Sequence, residues 1–377
     1  MFDELTLEQI CTHYGEERDK NRGAVVTPIF QTSSYALDSD YEYTRGNVPN
    51  FEVVERKLAA LDHAEDAVLV SSGCSAAAAV LHATLKAGDH VVAVRASYPG
   101  SRQNIEALEP MGITHTYIQG KTIEEFEAAI LPNTRLIYLE SPSSFVFEIQ
   151  PLEEVAALAK SKGIYTAIDN TCATPLYQNP LDWGIDLIVY SASKYFGGHA
   201  DVVAGVVVGS GELIKRVRKQ RGVYGWITSP LNAWLIERGL RTLPVRVPAI
   251  SRNAQAVVKY MENHRNVKKV FYPEAESFDQ KELYHKYMRG AGGLFSFQAK
   301  TEDRSKYQEF IRRCRIFQNA VSWGGYESLV YSVCAVNAPT TPLGNAITHG
   351  GVMRMYTGLE NTDDLLNDIE QALKAFD

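Results

Sequence analysis

Residues 186–195 read DLIVYSASKY: a short apolar run, then two serines and a lysine, Lys194. The run is too short for a helix and too continuous for a half-exposed strand, so it predicts a strand buried on both faces. Working outward, similar Val/Ile/Leu-rich runs occur at 67–71, 90–94, 135–139, 164–168 and 203–208. Between several of them the apolar spacing becomes helical. Ile123, Phe126 and Ile130 share one face of a segment over 123–130. Leu152, Val155, Leu158 and Ala159 do the same over 152–160, with Gly163 as its stop. Strands alternating with helices predict an α/β fold with a mostly parallel central sheet covered by helices. Ligands of such sheets bind beyond the carboxyl ends of the strands, which is where Lys194 falls.

A lysine outside a strand is ordinarily a solvated surface charge. At the carboxyl edge of a buried sheet its amine is instead partly desolvated, which lowers its pKa and makes it a usable nucleophile. Three other strand ends supply chemistry of a matching kind. Asp169 closes the run at 164–168 and can hold a proton on a ring nitrogen, although a turn or helix-cap aspartate looks the same. Ser72, Gly73 and Cys74 follow the first run and precede an Ala-rich helical stretch at 75–86, a helix start that suits a phosphate but also resembles any βα turn. Tyr98, after 90–94, can cover a ring face or simply pack. Each signal has a plain structural reading. Their convergence on successive strand ends points to pyridoxal 5'-phosphate carried by Lys194 as a Schiff base. Ser191-x-x-Lys194 also fits the S-x-x-K of penicillin-recognising serine acylases, but no S-D-N or K-T-G accompanies it, and no G-x-G-x-x-G follows the first strand for a dinucleotide.

Composition agrees with a metabolic enzyme. The 377 residues are 45% hydrophobic and 22% charged, with a formal net charge of −7. An acidic chain without a basic patch is unsuited to nucleic acid or to an anionic membrane. Residues 1–20 lack the apolar core of a signal peptide, and no apolar run reaches the ~20 residues of a membrane span; the expected compartment is cytoplasmic. Five scattered cysteines (Cys11, Cys74, Cys172, Cys314 and Cys334) show neither disulfide nor zinc spacing, so no metal is expected. Residues 1–50 carry no strand–helix rhythm and read as an extended arm, 51–240 as the large cofactor-binding domain, and 241–377 as a smaller α+β domain. In the last, 251–264 reads as a helix, 292–298 as a strand, and the chain closes with a helix N-capped by Thr362.

The chain resembles the Cys/Met-metabolism family of fold-type I pyridoxal-phosphate enzymes over nearly its whole length. The matching stretches are YTR at 43–45, SG at 72–73, ESP at 140–142, DNT at 169–171, SASKY at 191–195 with GH at 198–199, RGLRTL at 238–243, ESL at 327–329, and Arg354 ahead of GLE at 358–360. The resemblance implies that Lys194 is the Schiff-base lysine and proton shuttle and that Asp169 pairs with the pyridine nitrogen. It implies that Ser72, Gly73, Cys74, Ser191 and Ser193 hold the phosphate, and that Tyr98 stacks on the ring. Tyr43 and Arg45 resemble residues that reach a neighbouring subunit's phosphate, so a dimer with shared sites, paired into a tetramer, is implied. Arg354, helped by Ser322, takes the carboxylate of an amino-acid substrate; Val321, Trp323 and Ser144 line the same side. The wording SWGGYESL at 322–329 is nearest to bacterial cystathionine β-lyases. That implies α,β-elimination of cystathionine or a related S-substituted cysteine to a thiol, pyruvate and ammonia. The alternatives are a methionine γ-lyase or a homoserine-ester γ-replacement enzyme and, more distantly, a non-catalytic relative that binds the cofactor. Two departures touch the substrate entrance: Val321 where relatives place Glu or Tyr, and RGNVPN at 45–50 for R-x-x-N-P-T. Ser144 and Phe145 also stand where an Asn and a Pro are commoner.

Overall fold

The computed structural model describes residues 5–332 and 352–377, built around two sheets. The first has seven strands: β1 Asp66–Val70, β2 His90–Val94, β3 Thr114–Ile118, β4 Thr134–Glu140, β5 Tyr165–Asp169, β6 Leu187–Tyr190 and β7 Gly205–Gly209. Their order is β1-β7-β6-β5-β4-β2-β3, parallel throughout except that β7 runs against both of its neighbours. The chain is therefore α/β with a mostly parallel central sheet.

The apolar runs form this sheet because both of its faces are covered. Val68, Val70, Val91, Ala93, Leu136 and Val189 bury against the helices Gly73–Thr84 and Gly211–Tyr224. The intervening Leu69, Val92, Val94, Ile137, Leu139 and Ile188 bury against the helices Pro49–Leu61, Leu152–Ser161 and Pro230–Leu240. Alternation along a strand thus sends apolar side chains into two separate cores, and each fully buried Val, Leu or Ile contributes roughly 1.5–3 kcal/mol. β3, which the sequence reading passes over, is the edge strand. Its residues are only partly buried, so THTYI needs no apolar run.

The second sheet has the order β10-β11-β12-β9-β8, with β8 Val267–Phe271, β9 Leu294–Ala299, β10 Gln318–Asn319, β11 Leu329–Ser332 and β12 Met353–Tyr356. The helix expected over 251–264 begins earlier and runs Leu243–Glu262. Leu243, Val247 and Ile250 pack into the first core while Ala254, Val257 and Met261 pack into the second, so this helix joins the two sheets. Its Pro248 hides the continuity from a sequence reading. At the closing helix, Thr362–Leu373, the cap is Asn361 rather than Thr362. The Asn361 side chain accepts from the backbone N–H of Asp363 and Asp364, while the Thr362 hydroxyl donates to Asn253.

The first fifty residues are not uniformly extended. Leu7–His13 is a helix whose cap, Thr6, exchanges hydrogen bonds with Gln9, a reciprocal box that the sequence reading missed. Buried Lys57 ties this helix down, donating to the carbonyls of Ile10 and Cys11 and pairing with Glu16 at 3.0 Å.

Candidate active site

The carboxyl ends of β1, β2, β4, β5 and β6 converge on one edge of the sheet. β1 leads through Ser71 into the helix Gly73–Thr84, capped by Ser72, whose side chain accepts from the N–H of Ser75. The N–H groups of Gly73 and Cys74 open that helix and face the edge without intrahelical partners. Residue 73 must be glycine, because a Cβ there would lie 2.8 Å from the Ser191 Cβ. The loop after β6 therefore seats directly on the helix start.

Thr171 links the next two strand ends. Its hydroxyl donates to Asp169 Oδ1 at 2.5 Å and accepts from the N–H of Ser191 at 2.8 Å, while its own N–H also reaches Oδ1, at 3.0 Å. These bonds fix the Asp169 carboxylate and leave Oδ2 without a hydrogen bond among the described residues. Burial raises the Asp169 pKa, with the Thr171 bonds and the Lys194 charge opposing it.

Lys194 follows in a turn closed by its N–H to the carbonyl of Ser191. Its Nζ donates to the Ser322 hydroxyl at 2.7 Å and stands 5.7 Å from the centre of the Trp323 ring. Burial, reinforced by the Arg354 charge and resisted by Asp169, pulls the amine down to about 8. Ser322 reaches it from the second sheet's side, in a loop that tightens at Gly324. There φ is +91° and a Cβ would fall 2.8 Å from the Lys194 backbone. Ser322 itself has φ +83°, a conformation a non-glycine residue adopts at a cost of about 1–3 kcal/mol.

Arg354 lies in the middle of β12, opposite Tyr331 of β11. Its guanidinium lies 5.2 Å from the centre of the Tyr331 ring and 5.5 Å from that of Phe145, and one nitrogen donates to the carbonyl of Ser322 at 3.2 Å. Burial pulls its pKa down to about 10. Tyr98 caps the helix Pro99–Glu106 and keeps half of its surface open. Burial first, then Cys74 and Asp169, raises its hydroxyl's pKa.

The structure thus brings together Lys194, Asp169, Tyr98, Cys74, Gly73, Ser191, Ser322, Trp323 and Arg354. Other expected residues lie elsewhere or are otherwise engaged. Tyr43 and Arg45 are exposed in the arm, where Arg45 stacks on Tyr43 at 5.6 Å. The Ser193 hydroxyl is engaged by the backbone of Ala204, donating to its carbonyl at 3.2 Å and accepting from its N–H at 3.1 Å. Ser144 donates to Glu140 Oε1 at 2.6 Å, and Val321 is 68% exposed beside Ser322. Cys11, Cys74, Cys172 and Cys314 are free thiols; Cys334 lies outside the described residues. Sequence reasoning named Thr171 and Phe145 without these contacts and missed Tyr331. Thr171 had a signal, standing two residues after a strand-end aspartate; the ring contacts of Arg354 had none.

Pyridoxal phosphate asks for a phosphate cradle, a carboxylate for the ring nitrogen, a neutral amine and a cover for one ring face. The two N–H groups without intrahelical partners at the glycine-tight helix start, the Asp169 Oδ2 left without a hydrogen bond among the described residues, the amine near pKa 8 and half-open Tyr98 fit those four demands.

Comparison with known proteins agrees. Over 380 residues the chain is 35% identical to a cystathionine gamma-lyase of Bacillus subtilis (strain 168), covering 98% of this chain and 100% of that one. Over 372 residues it is 34% identical to a cystathionine beta-lyase of Lactococcus lactis subsp. cremoris (strain MG1363), covering 96% and 97%. The crystal structure of metB from Corynebacterium glutamicum superposes with a TM-score of 0.95 at 31% identity, covering all of both chains. The profile of the Cys/Met metabolism PLP-dependent enzymes matches residues 8–374, and the chain belongs to that family of PLP-dependent carbon–sulfur lyases and synthases.

Proposed function

We propose that the chain is a carbon–sulfur lyase catalysing α,β-elimination from L-cystathionine or a related S-substituted cysteine, releasing a thiol, pyruvate and ammonia. The observation that carries this reading is the Lys194 amine, brought to about 8 and held by the Ser322 hydroxyl, whose backbone carbonyl also anchors Arg354. One loop thereby sets the distance between a proton-transferring amine and a carboxylate-binding guanidinium.

Pyridoxal phosphate, when bound, supplies an electrophilic carbon for the substrate amine and an electron sink for the α-carbon. Arg354 binds the substrate carboxylate through its planar fork, which Phe145 and Tyr331 keep from swinging. Lys194 Nζ would take the α-proton of the bound substrate; an amine lowered to about 8 suits that task. Asp169 Oδ2 holds the proton on the ring nitrogen, with Oδ1 fixed by Thr171. The N–H groups of Gly73 and Cys74 with Ser72 and Ser191 hold the phosphate. Ser193 contributes there only by giving up one of its bonds to Ala204. In this reading residues 51–240 bind the cofactor, 241–377 carry the substrate-facing side, and the arm's Tyr43 and Arg45 complete the site of a second copy. The enzyme then works as a homo-oligomer.

The apolar Val321 at the entrance favours a small or weakly polar leaving group over the charged distal half of cystathionine. The second reading, γ-elimination, has support in the equally similar cystathionine gamma-lyase relative. The two readings separate by product. With L-cystathionine, S-methyl-L-cysteine and L-methionine offered in turn, we expect pyruvate from at least one of the first two and little 2-oxobutyrate. 2-Oxobutyrate as the main product would overturn β-elimination in favour of γ-elimination.

A further inference from the structure

β4 and β5 end side by side, so that Glu140 is the register partner of Asp169. Both carboxyl groups lie at the site edge, yet they are treated differently. Asp169 has the two Thr171 donors and the Lys194 charge beside it. Glu140 is 6% exposed, and its two oxygens are each taken by a different turn. Oε2 accepts from the backbone N–H of Tyr98 at 2.6 Å; Oε1 accepts from the Ser144 hydroxyl at 2.6 Å. The N–H of Ser144 in turn donates to the carbonyl of Ala96 at 2.8 Å, so the two turns are also tied directly.

Each turn carries an aromatic ring into the site. The first carries Tyr98, lying with the Cys74 thiol close against Gly100, where a Cβ would meet both at under 3 Å. The second carries Phe145, held at φ +67° with its ring on the Arg354 guanidinium. A conformation that β-carbon sterics disfavour persists only where its surroundings over-determine it, and the Glu140–Ser144 bond immediately before Phe145 is such a constraint.

We propose that Glu140 is a positioning residue: its buried carboxyl joins the Tyr98 turn to the Ser144–Phe145 turn and so sets where the ring cover and the Arg354 guanidinium stand. The proposal rests on Arg354 being the carboxylate site of the functional reading above. Burial and the Asp169 charge raise the Glu140 pKa, which the hydrogen bonds from Ser144 and the Tyr98 N–H and then the Arg102 charge partly oppose. The other titratable groups within its field are Tyr138 and Cys172, both of which its charge pushes up. Protonated or not, the carboxyl keeps an acceptor for the Tyr98 N–H, so the tether acts through geometry.

The test uses the enzyme with its cofactor bound and glycine as a carboxylate probe, its affinity read from the change in visible absorbance rather than from turnover. Glu140→Ala cuts both tethers and should weaken glycine on the order of tenfold, while Glu140→Gln, which keeps an acceptor for Tyr98, should restore most of that affinity. Ser144→Ala cuts only the Oε1 tether and should weaken glycine about fivefold, raising KM by more than it lowers kcat. Should Glu140→Ala fail to fold, Ser144→Ala decides alone. Glycine binding within about twofold of the unaltered enzyme in the folded variants would overturn the proposal. A missing cofactor signal in the unaltered enzyme refutes the functional reading instead, so the two failures are distinguishable.

Discussion

Lys194 and Arg354 each have a pKa below the ordinary value for the same first reason, burial of the charged group; at Lys194 the Arg354 charge adds to it and Asp169 resists. For Lys194 the consequence is a neutral amine fraction at physiological pH, which a solvated lysine lacks. Cofactor-free protein should therefore take up pyridoxal phosphate faster as pH rises through about 8, the folded-state pKa, and level off above it. A midpoint near that of free lysine, read by stopped-flow absorbance, would contradict the burial argument. Lys194→Ala should lower kcat by about a thousandfold or more with the fold intact by circular dichroism; steady turnover near the wild-type rate would remove the lysine from its role. At Arg354 the fork geometry matters as much as the charge. Arg354→Lys keeps the cation but removes the planar fork proposed to pair with a carboxylate and its contacts with the Phe145 and Tyr331 rings. KM should rise roughly ten- to hundredfold, with a smaller change in kcat.

At the scale of elements, the site is a product of strand ends meeting helix starts. Gly73→Ala tests the tightest of these junctions. A Cβ at 2.8 Å from Ser191 must push the loop after β6 off the helix start, so cofactor affinity should fall, measured by dialysis and absorbance, before secondary structure changes. The same scale explains which elements the sequence made legible. Strands buried on both faces, such as Leu187–Tyr190, announce themselves because every position is apolar. The edge strand Thr114–Ile118 does not, since only one side of its ladder is paired and its side chains stay half in water. Helix starts were harder to read, and the capping box of Thr6 and Gln9 was passed over. They failed at 361–362, where two adjacent cap-competent residues compete and the choice depends on Asn253 drawing off the Thr362 hydroxyl, a partner 109 residues away in sequence. Asn361→Ala should then cost about 1 kcal/mol, seen as a lower denaturant midpoint, whereas Thr362→Ala should cost less.

Across the whole molecule, the helix Leu243–Glu262 runs from one core into the other, and the loop at Ser322–Gly325 lies against Lys194. The placement at strand ends was readable in advance: Lys194, Asp169, Gly73 and Tyr98 stand at positions that a parallel sheet turns toward its ligand. What was not readable came from contacts between elements, such as Tyr331 of β11 on Arg354 of β12 or Ser322 on Lys194, because spacing within one element says nothing about its partner in another. The arm adds a prediction at this scale. Tyr43 and Arg45 are exposed, with Arg45 stacked on Tyr43. Mixing Lys194→Ala subunits with Arg45→Ala subunits should produce hybrids more active than either parent, if each arm serves a second copy. An additive mixture, or full activity at the mass of a single chain by ultracentrifugation, would argue that one chain suffices.

The central claim is that Lys194 carries the cofactor, and borohydride reduction of the enzyme with pyridoxal phosphate bound, followed by peptide mapping by mass, tests it most directly. The phosphopyridoxyl mass should be found on Lys194, in the peptide containing SASKYFGGH at 191–199. The same mass on another lysine, or its absence from an active and reduced enzyme, would contradict the account.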